Sequence, residues 1–347
     1  MHATRDVAPG VSTAGGNHKY EELVCDAVLD AKTRRFLLQR TDPSVRYFAL
    51  KDLCDRPEGD SQVRAARGEI GKKGWAWEIL SLQEPSGKWA TFRDEPTNLY
   101  LPKYTSTNFL LIVLSELGMT RKDPRVARAA NLLLDRWSDP KEGVWGEAGA
   151  ETCITGNGVR MMVRFGFLDD PRIQRAIDWL VSAQKSDGGW HCWRSRSGTL
   201  AAWEAMAAFA VIPPESRSAP VVRAIERGAE FFLERGLLHE VDGSSYKPWG
   251  RIHFPNHYYY DFLVGLDFLT ALGYGSDRRL RPALRLLEGK RGKDGWWRLD
   301  SVQPDVEASD PYHHSPPVYP VMLEYPGEPS RWATLVSLRV LRRAGRC

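Results

Sequence analysis

Cys153 and Cys192 are the side chains in this sequence best suited to chemistry. Cys153 closes Glu151-Thr152-Cys153, and Cys192 lies between His191 and Trp193. Further along, Asn256-His257-Tyr258 leads to Asp261. Thiolate, imidazole and carboxylate are the donors zinc prefers, in tetrahedral sites with bonds of roughly 2.0–2.3 Å. Cys153, Cys192 and His257 are therefore candidate ligands of a zinc cofactor, and Glu151, His257 and Asp261 candidate catalytic groups. Their spacing matches none of the short metal motifs. A structural alternative stays open: buried thiols, a capping carboxylate and a hydrogen-bonded histidine. Five cysteines, an odd number, argue for reduced thiols, with Cys25 and Cys54 as small buried hydrophobes.

The elements that must position these residues recur. A tryptophan follows a glycine-bearing turn at Trp89, Trp145, Trp190 and Trp297, about one period of fifty residues apart with one copy skipped. Gln184-Lys185-Ser186-Asp187-Gly188-Gly189-Trp190 is the clearest copy, and Asp242-Gly243-Ser244-Ser245-Tyr246 fills the gap with Tyr246 where the indole would be. In phase with the turns run helix starts: Asp123-Pro124-Arg125, Asp170-Pro171-Arg172, Asp277-Arg278-Arg279, and Ala219-Pro220, which lacks the aspartate cap. After each start, apolar residues fall at helical spacing, as in Ile173, Ile177, Leu180 and Val181.

The segments after the turns, 107–117, 158–167, 200–212 and 258–272, are apolar on more than one face, as buried helices are. Each unit thus reads as an amphipathic outer helix, a turn and a buried inner helix. Five to six such hairpins predict one all-α domain over 20–347, stacked as a solenoid or closed as a ring, after a disordered lead-in at 1–19. In a ring all inner helices start at one end, so Glu151, Cys153, Cys192 and His257 converge on one mouth. The aromatic run Phe254 to Phe262, with Phe109, Asn157, Trp203, Tyr258, Tyr259 and Trp332, supplies candidate lining for an apolar small molecule, and aromatic faces there would stabilise a cation. The same rings also suit a plain core. The proline-rich stretch 310–329 reads as a lid over that mouth, with His313 or His314 facing inward.

Composition narrows the class. A net charge of +4 over 347 residues, scattered on outer helices, reads as solvated surface, and the sequence carries no nucleic-acid-binding module. No stretch approaches the roughly 18 apolar residues of a membrane span, and the N-terminus lacks an apolar export core, so a cytoplasmic location is expected, with contact at a membrane surface left open. Glu204 beside Trp203 is a lone carboxylate, too little for the paired acids of a polysaccharide-cleaving ring.

The Gln-x-x-Asp-Gly-x-Trp turns closed by buried helices resemble the repeats of the squalene cyclase and protein prenyltransferase β-subunit superfamily, over about residue 40 to the C-terminus, with Gln184–Trp190 a full match. Single-domain bacterial prenyltransferase/squalene oxidase repeat proteins are most similar. The resemblance implies an α/α toroid acting on an isoprenoid, as a cyclase or transferase; a non-catalytic lipid carrier or a repeat scaffold is the alternative. Cyclases of this kind protonate their substrate with Asp-x-Asp-Asp, which this chain lacks; Asp169-Asp170 and Asp305-Val306-Glu307 come nearest. Protein prenyltransferases hold zinc with an Asp-x-Cys pair and a histidine. Glu151-Thr152-Cys153 resembles that pair and His257 the histidine, though His257 lies about two hairpins downstream instead of one. Those enzymes also work with a separate α-subunit, so such a partner stays open.

Overall fold

The computed structural model describes residues 29–89, 98–138, 145, 151–192, 198–240, 242–257, 259–302 and 321–346. The lead-in 1–19, Cys25, Tyr258, and His313 and His314 of the expected lid lie outside the described residues, as does most of the lid segment.

Helices begin where side chains can satisfy the free amides of a first turn. Asp42, Asp123 and Asp170 cap α2 (Pro43–Phe48), α6 (Pro124–Trp137) and α8 (Pro171–Ala183), each just before a proline. At α10 (Ala219–Glu234) Ser218 makes no capping hydrogen bond. The remaining helices are α1 (Ala31–Leu37), α3 (Ser61–Glu69), α4 (Gly74–Ser81), α5 (Thr107–Glu116), α7 (Thr152–Phe165), α9 (Thr199–Ala210), α11 (Phe262–Ala271), α12 (Arg281–Gly289) and α13 (Arg331–Arg343). A π-helical turn, Ala49–Leu53, extends α2.

The outer helices bury one stripe, as α8 does with Ile173, Ala176, Ile177 and Leu180, whereas α5 is buried from Thr107 through Ser115. Helices α2, α5, α7, α9, α11 and α13 form the inner layer, and α13 packs on α11 at one side and on α1 and α2 at the other, closing the ring. Arg339 bonds Asp52 at 3.1 Å and Arg342 bonds Asp55 at 2.8 Å across that seam. The fold is an all-α toroid.

The glycine turns share one hydrogen-bond pattern. The indoles of Trp89, Trp190 and Trp297 donate to the carbonyls of Ile79, Leu180 and Leu287 at 2.8, 2.8 and 2.7 Å, tying each turn back to its outer helix. Gln83 and Gln184 each donate to the turn and to the next outer helix, at Arg125 and Ala224. Gly87, Gly188, Gly243 and Gly295 all take φ between 80° and 89°, where a β-carbon would be strained. In the fourth turn Glu240 N bonds Ser244 O as Lys185 N bonds Gly189 O. That register puts Ser245, not Tyr246, at the indole position; Tyr246 is 48% exposed, and Trp249 is the buried indole there. Cys54 is disulfide-bonded, which corrects the expectation of a reduced thiol at that position.

Candidate functional site

Glu151 and Cys153 stand at the start of α7, and Cys192 lies in the link after the Trp190 turn. Thr152 Oγ1 holds that link by donating to His191 O at 2.6 Å. The Cys153 and Cys192 sulfurs are 2.6 Å apart, and Glu151 Oε2 lies 3.8 and 4.0 Å from them. Among the described residues these three form a cluster of metal-ligating type, with all ligand atoms within 4.8 Å. Hydrogen bonding between the thiols, reinforced on Cys153 by burial, raises the Cys153 pKa and lowers that of Cys192. Burial raises Glu151.

His257 is not in this cluster. Its segment dips into the bore, where Asn157 Nδ2 donates to His257 O at 2.9 Å and Arg160 to Asn256 O at 2.9 Å. The imidazole packs against Tyr104 and Phe109, with centroids 5.7 and 5.4 Å away, and burial, then Arg160, pushes its pKa down to about 3. It is a neutral core histidine. Asp261 caps α11 through Val264 N at 2.8 Å and holds His253 Nδ1 at 2.6 Å, so its oxygens are engaged.

The aromatic candidates separate. Phe109 and Trp203 are 1% and 0% exposed and fill the bore, Trp203 offering its face to Arg160 at 5.0 Å. Trp332 stacks on Phe254 at 4.7 Å and lines a cavity of about 170 Å³. Tyr259 is half-buried. The cavity runs along α11 and α13, walled by Phe254, Leu263, Val264, Phe268, Trp332 and Val336. Trp332 and Arg343 bracket a rise of about 16 Å on α13.

At its far end the cavity is charged. Arg160, Arg164, Arg339 and Arg343 face Glu116 and Asp267. Glu116 pairs with Arg164 and, at 3.5 Å, with Arg160; Asp267 pairs with Arg339 at 2.9 Å and Arg343 at 3.0 Å. Burial pushes both carboxyls up, but the arginines outweigh it and hold them low. Burial lowers Arg160 to about 10.

Glu204 on α9 was passed over in the sequence as a lone carboxylate. It is fully buried, and neither oxygen has a hydrogen-bond partner. Burial, then the Cys192 charge, raises its pKa well above the ordinary range. The signal for it, and for Arg160, was a charged residue on a helix otherwise buried all round.

A family model described as squalene-hopene cyclase C-terminal domain matches residues 42–259. No curated protein matches the sequence. A solved structure of a protein from Actinoplanes is 16% identical, with 94% of this chain and 99% of that one covered and a TM-score of 0.45. The type II terpene cyclase MstE from Scytonema, in its apo form, is 15% identical, with 96% and 99% covered and a TM-score of 0.45. A variant of MstE in complex with geranylgeranyl dihydroxybenzoate is 14% identical, with 95% and 100% covered and a TM-score of 0.47.

Proposed function

Because the chain belongs to the squalene-hopene cyclase C-terminal domain family, we propose that it acts on an isoprenoid or similar apolar molecule held along the axial cavity. The observation that carries this reading is the apolar part of the cavity wall, formed by Phe254, Leu263, Val264, Phe268, Trp332 and Val336 inside the ring. Aromatic faces such as the Phe254–Trp332 stack stabilise a carbocation electrostatically. In place of Asp-x-Asp-Asp, the acid in this reading is Glu204. Burial favours the protonated form that a proton donor needs, and although Glu204 is not itself part of the cavity wall it sits one turn before Ala207, which is. Product analysis by gas chromatography and mass spectrometry after incubation with geraniol, farnesol and geranylgeraniol tests this. A cyclic product from the native chain, reduced by about 100-fold or more in Glu204→Gln, is expected.

A carrier is the second reading. What favours it is that the carboxylates in the cavity wall, Glu116 and Asp267, are both engaged by arginines. Binding without turnover of any of the three alcohols would select it and remove the acid role of Glu204.

We also propose zinc at Glu151, Cys153 and Cys192, without His257. Tetrahedral zinc with ~2.3 Å sulfur bonds holds thiolates about 3.8 Å apart. The sulfur-to-carboxylate distances of 3.8 and 4.0 Å suit this, and the sulfurs must open from 2.6 Å. Three protein ligands would leave a fourth position for water. About one zinc per chain, lost in Cys153→Ser and Cys192→Ser but kept in His257→Gln, is expected from elemental mass spectrometry; a metal-free chain with a 153–192 disulfide would contradict it.

A further inference from the structure

Among the described residues lining the cavity, Arg160 is the guanidinium without a close carboxylate of its own: its close partners, the Trp203 ring at 5.0 Å, Asn157 Oδ1 and Asn256 O, carry no negative charge. It is 3% exposed and sits in the middle of α7, so its charge cannot spread into water. Its nearest carboxylate oxygen, on Glu116, is 3.5 Å away and is held more closely by Arg164. Its Nε is buried with no hydrogen-bond partner, while its other nitrogens reach Asn157 Oδ1 and Asn256 O.

Helix dipoles do not account for it. Inner-helix C-termini favour cations only within the last turn. That covers Arg164 and Arg343, which lie in the last turns of α7 and α13. Arg339 lies deeper, but Asp52 and Asp267 match it at 3.1 and 2.9 Å. Arg160 has neither a helix end nor a carboxylate of its own. Glu204, which could neutralise it, is held protonated by burial. A buried cation so placed is costly unless an anion joins it.

We propose that the arginine end of the cavity binds the anionic headgroup, phosphate or carboxylate, of an amphiphile, with Arg160 as its floor and Arg164 and Arg343 at its mouth. This rests on the reading of the cavity as a site for an apolar chain and adds the head to it. Exposure rises from 3% at Arg160 through 14% at Arg339 and 27% at Arg164 to 36% at Arg343, which marks the entrance. The headgroup lies at that entrance and the chain runs inward along Phe268, Val264 and Val336 toward Trp332 and Phe254. A volume of about 170 Å³ is below the roughly 300 Å³ at which pockets for drug-sized ligands begin. The chain is therefore short, of about ten carbons.

The test is isothermal titration of the full chain at low salt with geranyl phosphate, geraniol and inorganic phosphate. Geranyl phosphate is expected to bind about tenfold or more tighter than either of the others, since charge-assisted contacts add to chain burial. Arg343→Gln, a half-exposed change that does not depend on refolding the core, is expected to lose at least about threefold of the preference over geraniol, as does raising salt. Arg160→Gln is expected to remove most of it, with a thermal melt confirming that the variant is folded. Equal binding of geraniol and geranyl phosphate would overturn the headgroup site while leaving the chain site standing. Phosphate binding as tightly as geranyl phosphate would overturn the amphiphile. Binding of neither organic probe would overturn the chain reading and the headgroup with it.

Discussion

Glu204 and His257 are buried titratable groups whose costs have opposite pH signatures. Glu204 binds its proton more tightly in the fold than in the open chain, so its penalty grows as pH rises above the ordinary carboxyl value of 4.5. Glu204→Gln is expected to raise the melting temperature, and by more at pH 8 than at pH 5; an equal rise at both would show that the carboxyl is not held protonated. His257 runs the other way. With a folded pKa of about 3 against 6.5, the unfolded chain takes up the proton first, so stability is full above pH 6.5 and falls as pH drops toward 3. His257→Gln is expected to flatten the melting curve's pH dependence across that window, and an unchanged slope would place the group in contact with water. Glu151, Cys153 and Cys192 were legible as neighbours because each precedes or opens an inner helix, and the ring brings such positions together. His257 was not, because its segment folds into the bore to meet Asn157 and Arg160 below the level of Cys153, and nothing in local spacing reports how deep a link reaches.

At the scale of elements, close packing of α7 depends on two glycines. A β-carbon at Gly156 would fall 2.7 Å from the Glu204 backbone, which is what lets α7 and α9 lie against each other. At Gly158 it would fall 2.0 Å from the Trp145 ring. Gly158→Ala is expected to cost about 1–3 kcal/mol by chemical denaturation, as overpacking does, and a cost near zero would mean that the ring can move aside. Outer helices and turns were readable because capping, periodicity and αL glycines are local properties. The fourth turn was misread by one residue, since Tyr246 looked like an indole substitute while the hydrogen-bond register, set by Glu240 and Ser244, assigns that place to Ser245.

Across the whole molecule, a cavity with an apolar wall and a charged end lies along α11 and α13 inside a closed ring. Hairpins that each bury one face on a neighbour left a solenoid or a ring open, and the resemblance to the cyclases implied the ring. An aromatic-lined cavity was expected too, but its charged end was not, because Arg160 with Arg164 and Arg339 with Arg343 are one-turn pairs on separate helices, and only closure turns them toward a common space. Among the described residues no helix is long and apolar enough to cross a membrane. The most direct test of the central claim fills the cavity without touching its charges. Val336→Phe adds volume to the wall of a space of about 170 Å³. Titration calorimetry with geraniol is expected to show binding to the native chain and a loss of about tenfold or more in the variant, with a melting temperature equal to or above the native value. Geraniol binding that is unchanged in a folded Val336→Phe chain would contradict the assignment of the cavity as the ligand site.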